Sequence, residues 1–181
     1  ELWSHDSLKA HSINGPAVVL ENNRILTTYY TYTNKWELVM LMLEVTKDKD
    51  TYTVKESFSL QNNGCSLHPP VVHNNYIYFN DNGRPKAMKC LSMTGELVWS
   101  SDSINFELGS MLLIGDYIVN QNGKNGDIHL IEATPEGDKE LGKASFFNSE
   151  KSQAWSPMAF SDGKLIARDN ELVVCVDLDS Q

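Results

Sequence analysis

Positive charge is scarce in this sequence. Its 181 residues include 15 Lys and Arg against 24 Asp and Glu, which gives a formal net charge of −9. A chain of this charge repels a phosphate backbone, and no local cluster of Lys or Arg offsets the repulsion. We therefore expect no nucleic-acid partner.

Long apolar segments are lacking too. The longest apolar run, residues 38–43, is about a third of the length that crosses a bilayer, and Glu37 and Glu44 flank it. The first residues show no basic region followed by an apolar core, so no secretion signal is visible. We predict no transmembrane segment in this chain.

Cysteines and catalytic motifs are few. Cys65, Cys90 and Cys175 form no CxxC or metal-ligand spacing, and an odd count argues against a complete disulfide framework. We expect all three to be buried or half-buried side chains. The sequence has no GxSxG elbow, HExxH motif or phosphate-binding glycine loop, so no catalytic residue is predicted.

What the sequence does contain is a repeated pattern of short apolar runs and turns. The clearest copy, residues 152–178, reads as strand, turn, strand, loop and strand, and three paler copies precede it. Markers on the second strand of each copy are 52, 41 and 47 residues apart: Ile25, Ile77, Ile118 and Leu165. No long segment has helical apolar spacing, so helices should be rare.

A four-stranded unit with a period of about 40 to 50 residues is typical of a propeller blade. We therefore predict an all-β fold, a β-propeller of four-stranded antiparallel blades. The predicted blades span residues 12–61, 64–104, 107–149 and 152–181. The last copy stops before a fourth strand. Residues 1–6, of which the first four resemble residues 96–100, are expected as the outer strand of a preceding or the closing blade.

Several segments of the repeat resemble a known family. The pyrroloquinoline-quinone-like (PQQ-like) β-propeller proteins have repeats similar to residues 94–99, 126–132, 162–165 and 174–178. In that family, the residue that corresponds to Trp99 packs between neighbouring blades. The resemblance implies structural roles in blade packing for Trp99, Gly95, Pro157 and Gly163.

The resemblance also bears on completeness and location. Members of the family have more blades than the four or so that fit here, so we expect the carboxy-terminal half of a larger propeller. The alternative is a small closed ring in which residues 1–4 supply the missing fourth strand. The family implies a periplasmic or extracellular place in the cell envelope.

Candidate binding residues lie on the loops expected at the mouth of the channel, where propellers usually bind ligands. They are His68, Arg84, Glu107, Lys124, Trp155, Arg168 and Asp169. Each also has an ordinary interpretation as a turn or rim residue.

Three of these ordinary interpretations are specific. Asp169 would cap a turn while Arg168 pairs with a neighbouring blade, and Trp155 would pack beside Pro157. His68 has no second histidine at ligand spacing, so no metal site is predicted.

The tyrosines at positions 29, 30 and 32 form a further aromatic strip. Two of them lie on one face of a predicted strand and the third lies on the other face. This alternation is typical of strand packing, so we do not predict a surface site there.

The first functional hypothesis is a non-catalytic protein-interaction scaffold of the cell envelope, similar to the BamB-like members of the family, with a protein partner and no cofactor. The alternative is a PQQ-dependent alcohol or sugar dehydrogenase relative, which would need PQQ and Ca²⁺. A third hypothesis is a glycan-binding propeller that uses Trp155.

Overall fold

The computed structural model describes residues 2–6, 8–83, 85–101, 105–148 and 153–178. Arg84 and the predicted blade ends at 1, 104, 149, 152 and 181 lie outside these ranges. The described residues form fifteen strands and no helix, which confirms the all-β prediction. No helix of the described chain is therefore long and apolar enough to span a membrane.

The strands form four antiparallel sheets, numbered here in chain order. Sheet 1 contains β1 (Val18–Leu20), β2 (Arg24–Tyr32), β3 (Trp36–Asp48) and β4 (Thr51–Gln61). Sheet 2 contains β5 (Val71–His73), β6 (Tyr76–Asp81), β7 (Ala87–Ser92) and β8 (Leu97–Ser100). Sheet 3 contains β9 (Met111–Ile114), β10 (Tyr117–Gln121), β11 (Ile128–Glu132) and β12 (Glu140–Ala144). Sheet 4 contains β13 (Ala159–Ser161), β14 (Lys164–Arg168) and β15 (Val173–Asp177).

The turns between first and second strands explain why each repeat folds on itself. Asn74 and Asn75 join β5 to β6 with φ values of 48° and 63°, and Asp162 and Gly163 join β13 to β14 with 51° and 70°. Two successive residues with positive φ make the tight turn whose twist matches a hairpin. Asn, Asp and Gly tolerate that conformation, so each repeat folds locally into a meander.

The core lies between sheets rather than within one of them. Along β6, Ile77 and Phe79 face sheet 1, whereas Tyr78, between them, faces sheet 3. A third cluster, built around Val119 and Leu165, joins sheets 3 and 4. Sheets 2 and 3 are therefore covered on both faces, as stacked blades are.

Specific contacts hold sheets 2 and 3 together. The indole Nε1–H of Trp99 donates to the carbonyl of Thr134 at 2.9 Å, in the hairpin between β11 and β12. Two buried amides, Asn80 and Asn120, exchange a reciprocal pair of 2.8 Å hydrogen bonds across the same interface. Trp99 also packs against the hydrophobic cluster between these two sheets.

The hydrophobic clusters join the four sheets in chain order. Residues Leu8 and Ala10 cover the outer face of sheet 1, and none of the hydrophobic clusters among the described residues joins sheet 4 to sheet 1. The outer face of sheet 4 is exposed at Ile166 and Val173. Cys175 lies on this face and is exposed, so the expectation that all three cysteines are buried or half-buried is wrong for it.

The outer edge of sheet 4 has no pairing partner among the described residues. β15 pairs with β14 alone, and residues 2–6 form no strand. His5 instead lies 3.4 Å from Glu56 on β4, measured from its Nε2 to the carboxylate. Residues 2–6 therefore do not complete sheet 4 within this chain, and their pairing with a preceding blade stays a prediction.

Candidate functional site

Two of the predicted mouth residues meet. His68 Nε2 lies 2.9 Å from the carbonyl oxygen of Trp155, so the loop that leads into sheet 2 contacts the loop that leads into sheet 4. Burial lowers the pKa of His68, although the carbonyls of Trp155 and Leu108 act in the opposite direction. At neutral pH the imidazole is uncharged, and it links two loops.

The other predicted residues lie on separate loops. The Glu107 carboxylate pairs with Lys86, and its carbonyl accepts a hydrogen bond from the Asn82 amide. The buried carboxylate of Asp169 accepts hydrogen bonds from the backbone N–H groups of Glu171 and Leu172, at 2.8 and 2.7 Å, and so caps its turn. These contacts hold loops in place.

The remaining predicted residues do not form a common site with His68 and Trp155. Lys124 is exposed on the β10–β11 loop, Arg168 is the exposed last residue of β14, and Arg84 lies outside the described residues. Pro157, expected to pack between blades, is exposed, and its neighbours Ala154 and Met158 are buried in its place.

The described residues contain no group of three or more His, Cys, Asp and Glu side chains that could hold a metal ion. Burial raises the pKa of the Cys65 thiol, and it raises that of Cys90 to about 11. Both are protonated at neutral pH, which makes them poor nucleophiles.

An aromatic groove lies beside the mouth because sheet 1 is longer than its neighbours. β2 has 9 residues and β3 has 13, whereas β6 and β7 of sheet 2 have 6 each. The β2–β3 hairpin therefore extends past the end of sheet 2. Side chains on its sheet-2 side lose their packing partner beyond that point.

Strand alternation decides which side chains line this extension. Tyr30 pairs with Leu38 and Tyr32 with Trp36, all on the face directed toward sheet 2. Exposure rises along the face from 3% at Leu38 to 48% at Tyr32 and 60% at Trp36. The assignment of Tyr32 to strand packing is therefore wrong, because sheet 2 ends before it reaches that residue.

Ring contacts fix the shape of this aromatic wall. The ring centroids of Tyr32 and Trp36 are 5.3 Å apart and tilted by 56°, and those of Tyr30 and Trp36 are 6.3 Å apart at 84°. His11 contacts Tyr32 and Trp36 edge-on, and its Nδ1 accepts a 3.1 Å hydrogen bond from the Tyr32 N–H. Rings held at such angles are in favourable aromatic geometry and present steep walls.

The opposite wall is the β6–β7 loop. Asn82, Gly83 and Lys86 line it together with Asn62, and the groove between the walls measures about 710 Å³. A Cβ on Gly83 would lie 2.0 Å from the carbonyl oxygen of Asn62, so only glycine permits this approach of the two chains.

The second wall is held from below by a buried ion pair. Asp81 Oδ1 accepts hydrogen bonds from the N–H groups of Gly64 and Gly83, at 2.9 and 3.0 Å, while its Oδ2 lies 2.6 Å from Lys89 Nζ. Both charged groups are buried. Such a pair is costly to break, so it fixes Asp81, which binds both Gly64 and Gly83 at the base of this wall.

Among the described residues, the free polar groups of the groove are donors on its aromatic wall and the side-chain amide of Asn62, which can both donate and accept. Asn82 uses its amide in hydrogen bonds to Ser66 N–H and the Glu107 carbonyl, and the Tyr30 hydroxyl is bonded to Ser66 Oγ. Among the described residues, no hydrogen bond occupies the Trp36 indole N–H or the Tyr32 hydroxyl. The lining contains two lysines, Lys35 and Lys86, and no carboxylate, although each lysine pairs with a nearby glutamate.

No protein-family model matches the chain, and no curated protein matches its sequence. Among solved structures it is similar to BamB from Moraxella catarrhalis, with a TM-score of 0.56 and 10% identity over 96% of this chain. The chain has a BamB-like β-propeller fold. It spans 62% of the length of that BamB chain, and the likeness concerns the fold alone.

Sequence reasoning did not find the aromatic groove of this BamB-like propeller, although two signals were present. The step from Ile25 to Ile77 is 52 residues, longer than the other two, which reflects the extended hairpin. Tyr30, Tyr32, Trp36 and Leu38 also share one face of any hairpin whose turn falls at residues 33–35. Neither signal predicts how far sheet 2 extends, and the exposure of these aromatic side chains depends on that extent.

Proposed function

We propose that this BamB-like propeller is a non-catalytic, PQQ-like protein-binding scaffold of the cell envelope. The aromatic groove is the observation that carries the proposal. Exposed Trp and Tyr side chains on a rigid support are the residues that dominate binding energy at protein interfaces. At about 710 Å³, the groove is within the size range of binding clefts.

The mouth residues support the same proposal because their polar side chains already bind other parts of the chain. His68, Glu107 and Asp169 each hold a loop through hydrogen bonds or ion pairs. Contacts of this kind fit a structural role for these three residues. The aromatic groove, by contrast, presents unoccupied side-chain surface.

The place in the cell envelope rests on the likeness to BamB and on the PQQ-like character of the repeats. It belongs to the proposal, as do the partners of the whole protein, because this chain spans 62% of that BamB chain. The dehydrogenase and glycan-binding hypotheses gain no support from the contacts of the described residues.

Capture of partners from an envelope extract tests the proposal. We expect immobilised protein to retain specific proteins, and Trp36→Ala to reduce the retained amount at least tenfold. Tyr117→Ala is the matched control, because Tyr117 is 45% exposed and begins β10 at the opposite end of the propeller. Unchanged capture by Trp36→Ala would contradict the role of the groove, and no capture at all would contradict the scaffold.

A further inference from the structure

We propose that the aromatic groove binds an extended, proline-containing peptide segment in the polyproline II conformation. The inference rests on the proposed protein-binding function and names the chemical class of the partner. Three observations carry it: the angles between the aromatic rings, the free donors of the aromatic wall, and the support of that wall by paired strands and His11.

The ring angles suit a pyrrolidine ring. Tyr30 and Tyr32 each lie within 6.3 Å of Trp36, at 84° and 56° to it, so the exposed ring faces form angled slots rather than one flat platform. A polyproline II segment has three residues per turn and presents ridges of apolar rings. Aromatic-lined grooves dock such ridges in other peptide-recognition modules.

Hydrogen-bonding capacity also favours this ligand. The Trp36 indole offers a donor, the Tyr32 hydroxyl can donate, and the lining contains no carboxylate. A proline-rich segment carries many carbonyl acceptors and few N–H groups, so it matches a wall of donors.

Both partners would bind with little loss of conformational freedom. The aromatic wall stands on a hairpin paired from Arg24–Glu44 to Tyr32–Trp36, and His11 braces its tip. The polyproline II conformation is already populated in free proline-rich chains. Preorganisation on both sides lowers the entropic cost of association, which lets a small contact area suffice.

Fluorescence anisotropy with a fluorescein-labelled decaproline peptide tests the inference, with a Gly-Ser peptide of equal length as reference. We expect decaproline to bind at least tenfold more tightly than the reference. Trp36→Ala should abolish that preference, Trp36→Phe should weaken binding less because it removes only the indole donor and part of the ring, and Tyr117→Ala should leave it unchanged. Circular dichroism melting curves establish that each variant is folded.

Equal affinity for decaproline and the Gly-Ser peptide would overturn the inference, as would full binding by folded Trp36→Ala. Trp36-dependent binding of chitohexaose that is tighter than the binding of decaproline would assign the groove to glycans and would also overturn it. Trp36-dependent capture of envelope proteins without any decaproline preference would leave the scaffold proposal intact and reject this one.

Discussion

At Gly95, sheets 1 and 2 pack so closely that a single added side-chain carbon would clash. The residue has φ +86°, and a Cβ there would lie 2.9 Å from Cγ of Phe58 on β4 of the neighbouring sheet. We expect Gly95→Ala to lower the free energy of unfolding by about 2 kcal/mol, because backbone strain of roughly 1–3 kcal/mol adds to the clash. Urea denaturation measures the loss.

Two other glycines serve as controls that distinguish the cost of backbone strain from the cost of a steric clash with Phe58. Gly115 has φ +59°, but a Cβ added there would have no atom within 4 Å, and Gly142 on β12 has neither a positive φ nor a close neighbour. Gly115→Ala should therefore cost about 1 kcal/mol, and Gly142→Ala close to nothing. If Gly95→Ala cost no more than Gly115→Ala, contact with Phe58 would have no part in the effect.

His68 should make stability depend on pH. Burial lowers its pKa below the ordinary value of about 6.5, so the unfolded chain takes up the proton more readily than the folded one. The contribution of neutral His68 is present above about pH 6.5 and is lost as the pH falls toward its folded pKa.

Thermal melts of wild type and His68→Gln between pH 7.5 and 5 test this expectation. Gln can still donate to the Trp155 carbonyl but does not titrate, so the Tm of the variant should fall less over this range. Parallel pH profiles for the two proteins would show that His68 does not contribute to the pH dependence.

At the scale of the element, β15 is an edge strand with an apolar outer face, and its outer edge is unpaired among the described residues. Val173, 63% exposed, lies on that outer face, whereas Val174 packs on the cluster between sheets 3 and 4. Exposed edges of this kind pair with other chains unless a charge blocks them. We expect Val173→Lys to reduce self-association in analytical ultracentrifugation and to leave Tm nearly unchanged.

Val174→Lys is the matched control for that variant. It places a charge between the two sheets and should lower the free energy of unfolding by about 3 kcal/mol. Self-association that is unaffected by Val173→Lys would mean that the molecule associates through another surface.

At the scale of the whole molecule, the arrangement of sheets favours an open arc. Each neighbouring pair of sheets shares a hydrophobic cluster, but sheets 1 and 4 share none among the described residues. We propose that this arc belongs to a larger ring whose further blades cover the outer face of sheet 4. The open arc is the reason to expect an extended or associating chain when these 181 residues are studied alone.

Size-exclusion chromatography with small-angle scattering separates the arc from a small closed ring. A closed monomer of this length would have a radius of gyration of about 16 Å. We expect a larger value, or a mass above that of one chain. A compact monomer near 16 Å would contradict the larger ring and favour a small closed one.

The sequence by itself determined the repeat and its strands. Tight turns at Asn74-Asn75 and Asp162-Gly163, apolar alternation and a period near a blade's length are local properties, since a few neighbouring residues settle them. The three-stranded form of the last repeat among the described residues was visible for the same reason.

Only the tertiary structure decided which side chains are exposed and which distant residues contact each other. His68 and Trp155 are 87 residues apart in the chain, and no local pattern reports their hydrogen bond. Cys175 is exposed because nothing covers the outer face of sheet 4 among the described residues, and Trp36 because sheet 2 ends below it. Exposure depends on how far the neighbouring blade extends, which is a property of two segments packed together rather than of either sequence alone.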